Sequence, residues 1–237
     1  MSEAPPARDV TTAGPFPWGV LRWRVVLGYT AIALAVWLAS LPLDLPAYRW
    51  FEGTDTSDAW WHRALRLMGY LPLWLAVAAG YVAWDLRYRA TIGWKNVFAR
   101  GALLASSATL GGLFAELLKL VLRRMRPNVA DGAYVIRPYL EDTLRSNNLG
   151  LPSSHSLVAF AALMMLGRLW PRAAPLCWVL AAGCGLTRVM AEAHFVSDVV
   201  LAALIAWPTA SMLWWWNARE VQRHGLVKWP RRGGGNG

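Results

Sequence analysis

Charge is scarce in this chain. Only 16% of its 237 residues are Asp, Glu, Lys or Arg, while 56% are hydrophobic, too little polar surface to clothe an ordinary water-soluble domain. Cysteine is scarcer still, at two. Cys177 and Cys184 lie on one apolar stretch, and a helical rise of ~1.5 Å per residue sets them about 10 Å apart, beyond the reach of a disulfide. Four histidines and two cysteines give no recognised zinc spacing, so neither a metal nor another cofactor is expected. Acidic residues number 14 against 24 Lys and Arg, a net charge of +10. The basic residues are scattered among short connecting segments without a nucleic-acid motif, which excludes nucleic acid as a partner and favours anionic lipid. No internal repeat is present.

Long hydrophobic runs are abundant instead. Six of them, near 25–43, 67–84, 101–122, 156–170, 176–193 and 197–216, approach the ~20 residues that cross ~30 Å of hydrocarbon. The pattern predicts an all-α, integral-membrane six-helix transmembrane bundle. Trp170-Pro171 cuts the fourth run short. The first run begins after Arg22 and Arg24 without a small-residue cleavage site, so no cleavable signal peptide is expected. A mobile Pro/Gly-rich segment over 1–17, a catalytic membrane domain over 18–217 and a mobile basic tail over 218–237 complete the division. Small residues at Gly101-Ala102, Ser106-Ser107 and Gly111-Gly112 predict close helix packing. Most tryptophans, among them Trp18, Trp23, Trp60, Trp61, Trp94, Trp170 and Trp214–Trp216, fall near helix ends and read as an interfacial belt.

Fourteen of the 24 Lys and Arg residues fall in the N-terminal segment, the loops at 85–100 and 168–172, and the tail; the opposite face holds ten of the 14 acids. The positive-inside tendency then puts both termini in the cytoplasm of a multi-pass inner-membrane protein, with the other loops facing the periplasm or exterior.

Polar clusters punctuate the ends of the apolar runs on that outer side. Lys119 and Arg126-Pro127 form the first; their spacing places both cations on one face of the third helix and its extension before the proline breaks it. Neighbouring Arg123 and Arg124 read as snorkelling cations, and Glu116 as a structural partner for Lys119 or Arg123. Pro152-Ser153-Ser154-His155 precede the fourth run, where a helix start offers free N–H groups to an anion. Arg188, His194 and Asp198 flank the connection between the last two runs, and if the sixth helix starts near His194, the carboxylate can accept from one ring nitrogen. Each cluster alone has an ordinary structural explanation; their convergence on one face makes a phosphate site.

The chain resembles the type 2 phosphatidic acid phosphatase (PAP2) superfamily. The superfamily pattern is Lys, six residues, Arg-Pro; Pro-Ser-Gly-His; and Ser-Arg, five residues, His, three residues, Asp. This chain departs from it twice, with Ser154 for a glycine, less comfortable if φ > 0 is needed there, and Thr187 for a serine. The resemblance implies His194 as the nucleophile forming a phosphohistidine and Asp198 as its orienting carboxylate. It implies His155 as proton donor to the leaving oxygen and activator of water. Lys119, Arg126 and Arg188, with Ser153 and Ser154, would hold phosphate oxygens. A lipid phosphate is the expected substrate, the bilayer the expected partner, and the loop 128–151, with Arg137, Arg145, Asn147 and Asn148, a place for headgroup selection. Undecaprenyl pyrophosphate, phosphatidylglycerophosphate, phosphatidic acid and phosphorylated lipid A all fit, and oligomeric state is not readable. A lipid phosphotransferase, a vanadium haloperoxidase and a non-enzymatic transporter retaining the fold are the rival readings; the six apolar runs argue against the second and both motif histidines against the third.

Overall fold

A computed structural model describes residues 23–54, 56–88 and 94–223. Among these residues eight α-helices follow in order: α1 Trp23–Ser40, α2 Asp44–Phe51, α3 Trp60–Leu67, α4 Leu71–Leu86, α5 Trp94–Leu122, α6 Ser154–Leu169, α7 Ala174–Met190 and α8 Val196–Arg223. Short 3-10 turns at Leu41–Leu43, Pro127–Val129 and Pro171–Ala173 join some of them. Among the described residues extended pairing is confined to two isolated bridges, Arg124 with Ile136 and Met125 with Leu149.

Each of the six apolar runs is helical, but they do not all qualify alike as spans. Trp23–Phe51, Val97–Leu122, Pro171–Met190 and Val196–Ala218 are long and apolar enough to cross a membrane. The pair α3 and α4, bent by 65°, makes a fifth if it counts as one broken span. The remaining run forms α6, whose 16 residues extend about 24 Å, short of the ~30 Å of hydrocarbon. Ser153 caps its start, and Pro171, which cannot continue a helix, follows its end.

That short helix is the hub. It packs against α5, α7 and α8, while α4 lies on α5, α3 on α7 and α1 on α8. Residues Leu157 to Met165 are all buried in the main cluster, whereas the window over α1 is almost wholly outward-facing. With lipid tails as apolar as leucine, close approach of small residues replaces burial from water as the packing force. The expected pairs serve this purpose: a Cβ on Gly101 would come within 2.7 Å of the Ala78 carbonyl, and one on Gly111 within 3.0 Å of Ala161 Cβ. Ser107 Oγ donates to the Ala161 carbonyl at 2.8 Å.

Trp23, Trp60 and Trp94 open helices with their rings exposed, and Trp170 is exposed at the end of α6, as an interfacial belt requires. Trp18, the segment 1–17 and the tail beyond 223 lie outside the described residues, whereas 218–223, assigned to the tail, continue α8. Both cysteines are free and buried.

Candidate active site

α5 ends at Leu122, earlier than the spacing of Lys119 and Arg126 suggests. Arg123 turns to φ +53, and the following residues run extended, Met125 pairing with Val135 and Arg126 with Asn148. Arg126 therefore reaches the site from a strand-like segment, not from a helical face. The cause is Arg123 itself. Its guanidinium is fully buried and donates to the carbonyls of Arg137, Pro138, Glu141 and Thr143, which folds the outer loop over the helix end. Arg137 does the same for the loop's far side, donating to Arg145 and Asn147 carbonyls. Neither arginine is a free surface cation.

The second cluster forms the N-terminus of α6. Ser153 is the N-cap, its hydroxyl accepting from Ser156 N at 3.4 Å and from the Ser156 hydroxyl at 2.9 Å. Its own N–H donates to the Asp198 carbonyl at 3.3 Å, joining this helix start to that of α8. Ser154 is the first helical residue and is absent from the positive-φ set, so serine fits where the superfamily pattern has glycine. Its hydroxyl donates to Glu116 Oε1 at 2.6 Å, and Lys119 Nζ donates to the same oxygen at 3.0 Å. Glu116 thus ties two motif elements together at the rim.

The third cluster surrounds His194, which precedes α8 and is buried. Its Nδ1 lies 2.9 Å from the Gly150 carbonyl and 3.5 Å from Asp198 Oδ2. A carbonyl only accepts, so Nδ1 carries the proton and Nε2 the lone pair. Gly150, not Asp198, makes the shorter contact. A side chain at 150 would place Cβ 3.1 Å from Asp198 Oδ2. Asp198 accepts from Phe195 N at 2.8 Å and from Arg124 Nη2 at 2.5 Å. Burial pushes His194 down to about 4, with Arg188 and Lys119 acting in the same direction and Asp198 opposing them.

The three clusters meet. Arg188 and Lys119 lie close enough to act electrostatically on both histidines, His194 acts on His155, and Arg126 acts on Lys119 and Arg188. Arg188, on the last turn of α7, is buried and its Nε has no hydrogen-bond partner. A buried unsatisfied charged donor is costly, and an anion in the cage would satisfy it. Thr187, beside it, spends its hydroxyl on the Cys184 carbonyl at 2.7 Å.

Sequence reasoning missed three participants. Arg124 lies between the Tyr134 and Phe195 rings, 5.3 and 5.0 Å from their centroids. Asp44, from α2, completes the same buried polar group. Arg66, exposed near the end of α3, adds positive charge felt at His155; the backbones of the two residues flank Cys184, whose Sγ is 4.0 Å from the Arg66 carbonyl and 3.9 Å from that of His155. Arg124 could have been found two residues before Arg126; Asp44 and Arg66 belong to no motif.

A family description matches: the PAP2 superfamily, over residues 100–222. A protein from Rhizobium etli named Lipid A 1-phosphatase is 28% identical over 194 residues, covering 76% of this chain and 78% of that protein. Among solved structures, the fold is similar to that described as the first transmembrane PAP2 type phosphatidylglycerolphosphate phosphatase from Bacillus subtilis. The TM-score is 0.57 and the identity 18%, over 86% of this chain and 98% of that one. With a matching family profile across half its length and that bundle around the three motif clusters, this multi-pass membrane protein belongs to the PAP2 superfamily.

Proposed function

We propose that this chain is a membrane lipid phosphatase that hydrolyses a phosphomonoester or pyrophosphate of a lipid through a phosphohistidine on His194. The observation that supports it most directly is the His194 ring, bonded to Gly150 through Nδ1, beside an Arg188 Nε left without a partner. That geometry leaves Nε2 to attack and a buried guanidinium to receive a non-bridging oxygen.

In the first step a bond forms between His194 Nε2 and phosphorus as the bond to the leaving oxygen breaks. The electron pair departs with that oxygen, which takes a proton from His155, an imidazole that carries this proton once the negative phosphate of the substrate stands beside it. Lys119, Arg126 and Arg188 balance the negative charge of the transferring group, and the free N–H groups at the start of α6 add to them. Ser154 contributes through its backbone, because its hydroxyl is occupied by Glu116. In the second step His155 accepts a proton from water, oxygen bonds to phosphorus, and the N–P bond breaks, returning the lone pair to His194. Asp198 holds the ring and balances the positive charge on the phosphorylated imidazole. The names of the two relatives make lipid A and phosphatidylglycerophosphate the first substrates to try, with phosphatidic acid and undecaprenyl pyrophosphate beside them. Phosphate released without any acceptor lipid separates hydrolysis from transfer to a second lipid.

The histidine roles are separable. His194→Ala is expected to abolish turnover of every ester, since nothing else can accept the phosphoryl group. His155→Ala is expected to slow phosphoenzyme formation from an alkyl or lipid phosphate by roughly 10²-fold or more, and much less with p-nitrophenyl phosphate, whose leaving oxygen hardly needs a proton. Rapid quench of that variant is expected to show a burst of about one equivalent of p-nitrophenol and then slow turnover. A burst kept by His194→Ala and lost by His155→Ala would exchange the two assignments.

A further inference from the structure

Asp44 lies far outside the motif clusters, yet its carboxylate is buried within the group that holds His194. It is 1% exposed, at the first position of α2. Oδ1 accepts from Ser197 N at 2.7 Å; Oδ2 accepts from the Ser197 hydroxyl and from Tyr134 OH, the latter at 2.8 Å. Ser197 is the second residue of α8, so Asp44 satisfies from another helix one of the N–H groups that a helix start leaves orphaned. It thereby fixes the end of α8 from which Asp198 projects and which His194 immediately precedes.

The charges matter as much as the clamp. Arg124 reaches both carboxylates: Nη2 is 2.5 Å from Asp198 Oδ1 and 2.7 Å from Ser197 Oγ, and Nη1 is 3.8 Å from Asp44 Oδ2. Arg124, Asp44, Asp198 and Ser197 are all at least nine-tenths buried. Within this group one guanidinium serves two carboxylates, so Asp198 keeps part of its negative charge unpaired there. In a poorly hydrated interior that charge is felt strongly at the ring 3.5 Å from Asp198. Without Asp44, Arg124 would be free to neutralise Asp198 alone.

We propose that Asp44 is a positioning residue for the nucleophile: it clamps the start of α8 and draws Arg124 partly away from Asp198, so that Asp198 keeps the charge that steadies a phosphorylated His194. The carboxylate is supplied from outside the region matched by the superfamily, and the proposal rests on His194 being the nucleophile.

Asp44→Asn keeps the shape and removes the charge. It is expected to lower kcat by about tenfold or more while KM changes less than about threefold, because the lost interaction strengthens only as the imidazole becomes charged. A second readout is inhibition by vanadate, which can bond to the ring nitrogen as phosphorus does, compared with inorganic phosphate, which only fills the cage. The variant is expected to weaken vanadate about tenfold relative to phosphate, and Asp44→Glu to restore part of that ratio. Ser197→Ala, which leaves all three charges but removes the hydroxyl between them, is expected to move kcat and the ratio in the same direction by a smaller factor; it decides the matter if Asp44→Asn does not fold. A lowered unfolding temperature with wild-type kcat and a wild-type ratio would make Asp44 merely structural and overturn the proposal. If His194→Ala keeps its burst, the nucleophile assignment fails on its own account, whatever Asp44 does.

Discussion

At the scale of single residues, the site depends on where protons sit. Burial holds the His194 imidazole down to about 4, against an ordinary ~6.5, so the ring stays neutral above that pH, as the proposed attack requires. In the free enzyme the labelled His194 resonance, assigned by its loss in His194→Ala, is expected to titrate with a midpoint near pH 4. A midpoint near the ordinary value would show that the site is wetter than its burial implies. The motif residues were legible because their chemistry is local: a lysine, two arginines, two histidines and a carboxylate at fixed spacings. Gly150 and Asp44 were not, because a backbone acceptor and a cross-helix ion pair leave no periodic trace, and Arg124 was marked only by its place two residues before Arg126. Arg123 and Arg124 look alike in sequence, yet one organises the loop through carbonyls and the other binds Asp198; only the left-handed turn at Arg123 sends them in different directions.

At the scale of elements, the elbow between α3 and α4 packs directly against His155. A Cβ on Gly69 would lie 2.7 Å from both His155 Cβ and its carbonyl oxygen, and 2.9 Å from its Cα. Two of those three atoms are backbone, so the elbow or the start of α6 must shift. Gly69→Ala is expected to cost about 1–3 kcal/mol of stability, as overpacking does, and to slow turnover of lipid phosphates by displacing His155. Unfolding of the purified variant in detergent, measured beside its kcat, checks both; wild-type values for each would mean that the elbow yields freely. All six apolar helices were foreseeable from their composition. The break that splits α3 from α4, and the amphipathic α2 and α3, were not, because short helices with polar faces carry too few apolar residues to stand out as runs. The stop at Leu122 was missed for a related reason: helical spacing between Lys119 and Arg126 says that both could share a face, not that the backbone remains helical between them.

At the scale of the molecule, the charge asymmetry and the position of the site at one end of the bundle bear on orientation. The site-bearing loops are expected to face the periplasm or exterior, with the connection at Arg172 in the cytoplasm. Cysteines placed singly at Asp131 and Arg172, both exposed, can be tested with an impermeant thiol reagent on intact cells; the native cysteines are buried. Labelling at 131 but not at 172 is expected, and the opposite pattern would invert the protein in its membrane. The arrangement of helices also divides the molecule's response to its lipid. Enclosed α6 is shielded from the bilayer, whereas α1, almost entirely outward-facing, is the helix that meets a change in hydrocarbon thickness directly. Because α1 continues through the turn at Leu41–Leu43 into α2, Asp44 is the polar side chain of the buried group that stands nearest along the chain to the helix most exposed to lipid.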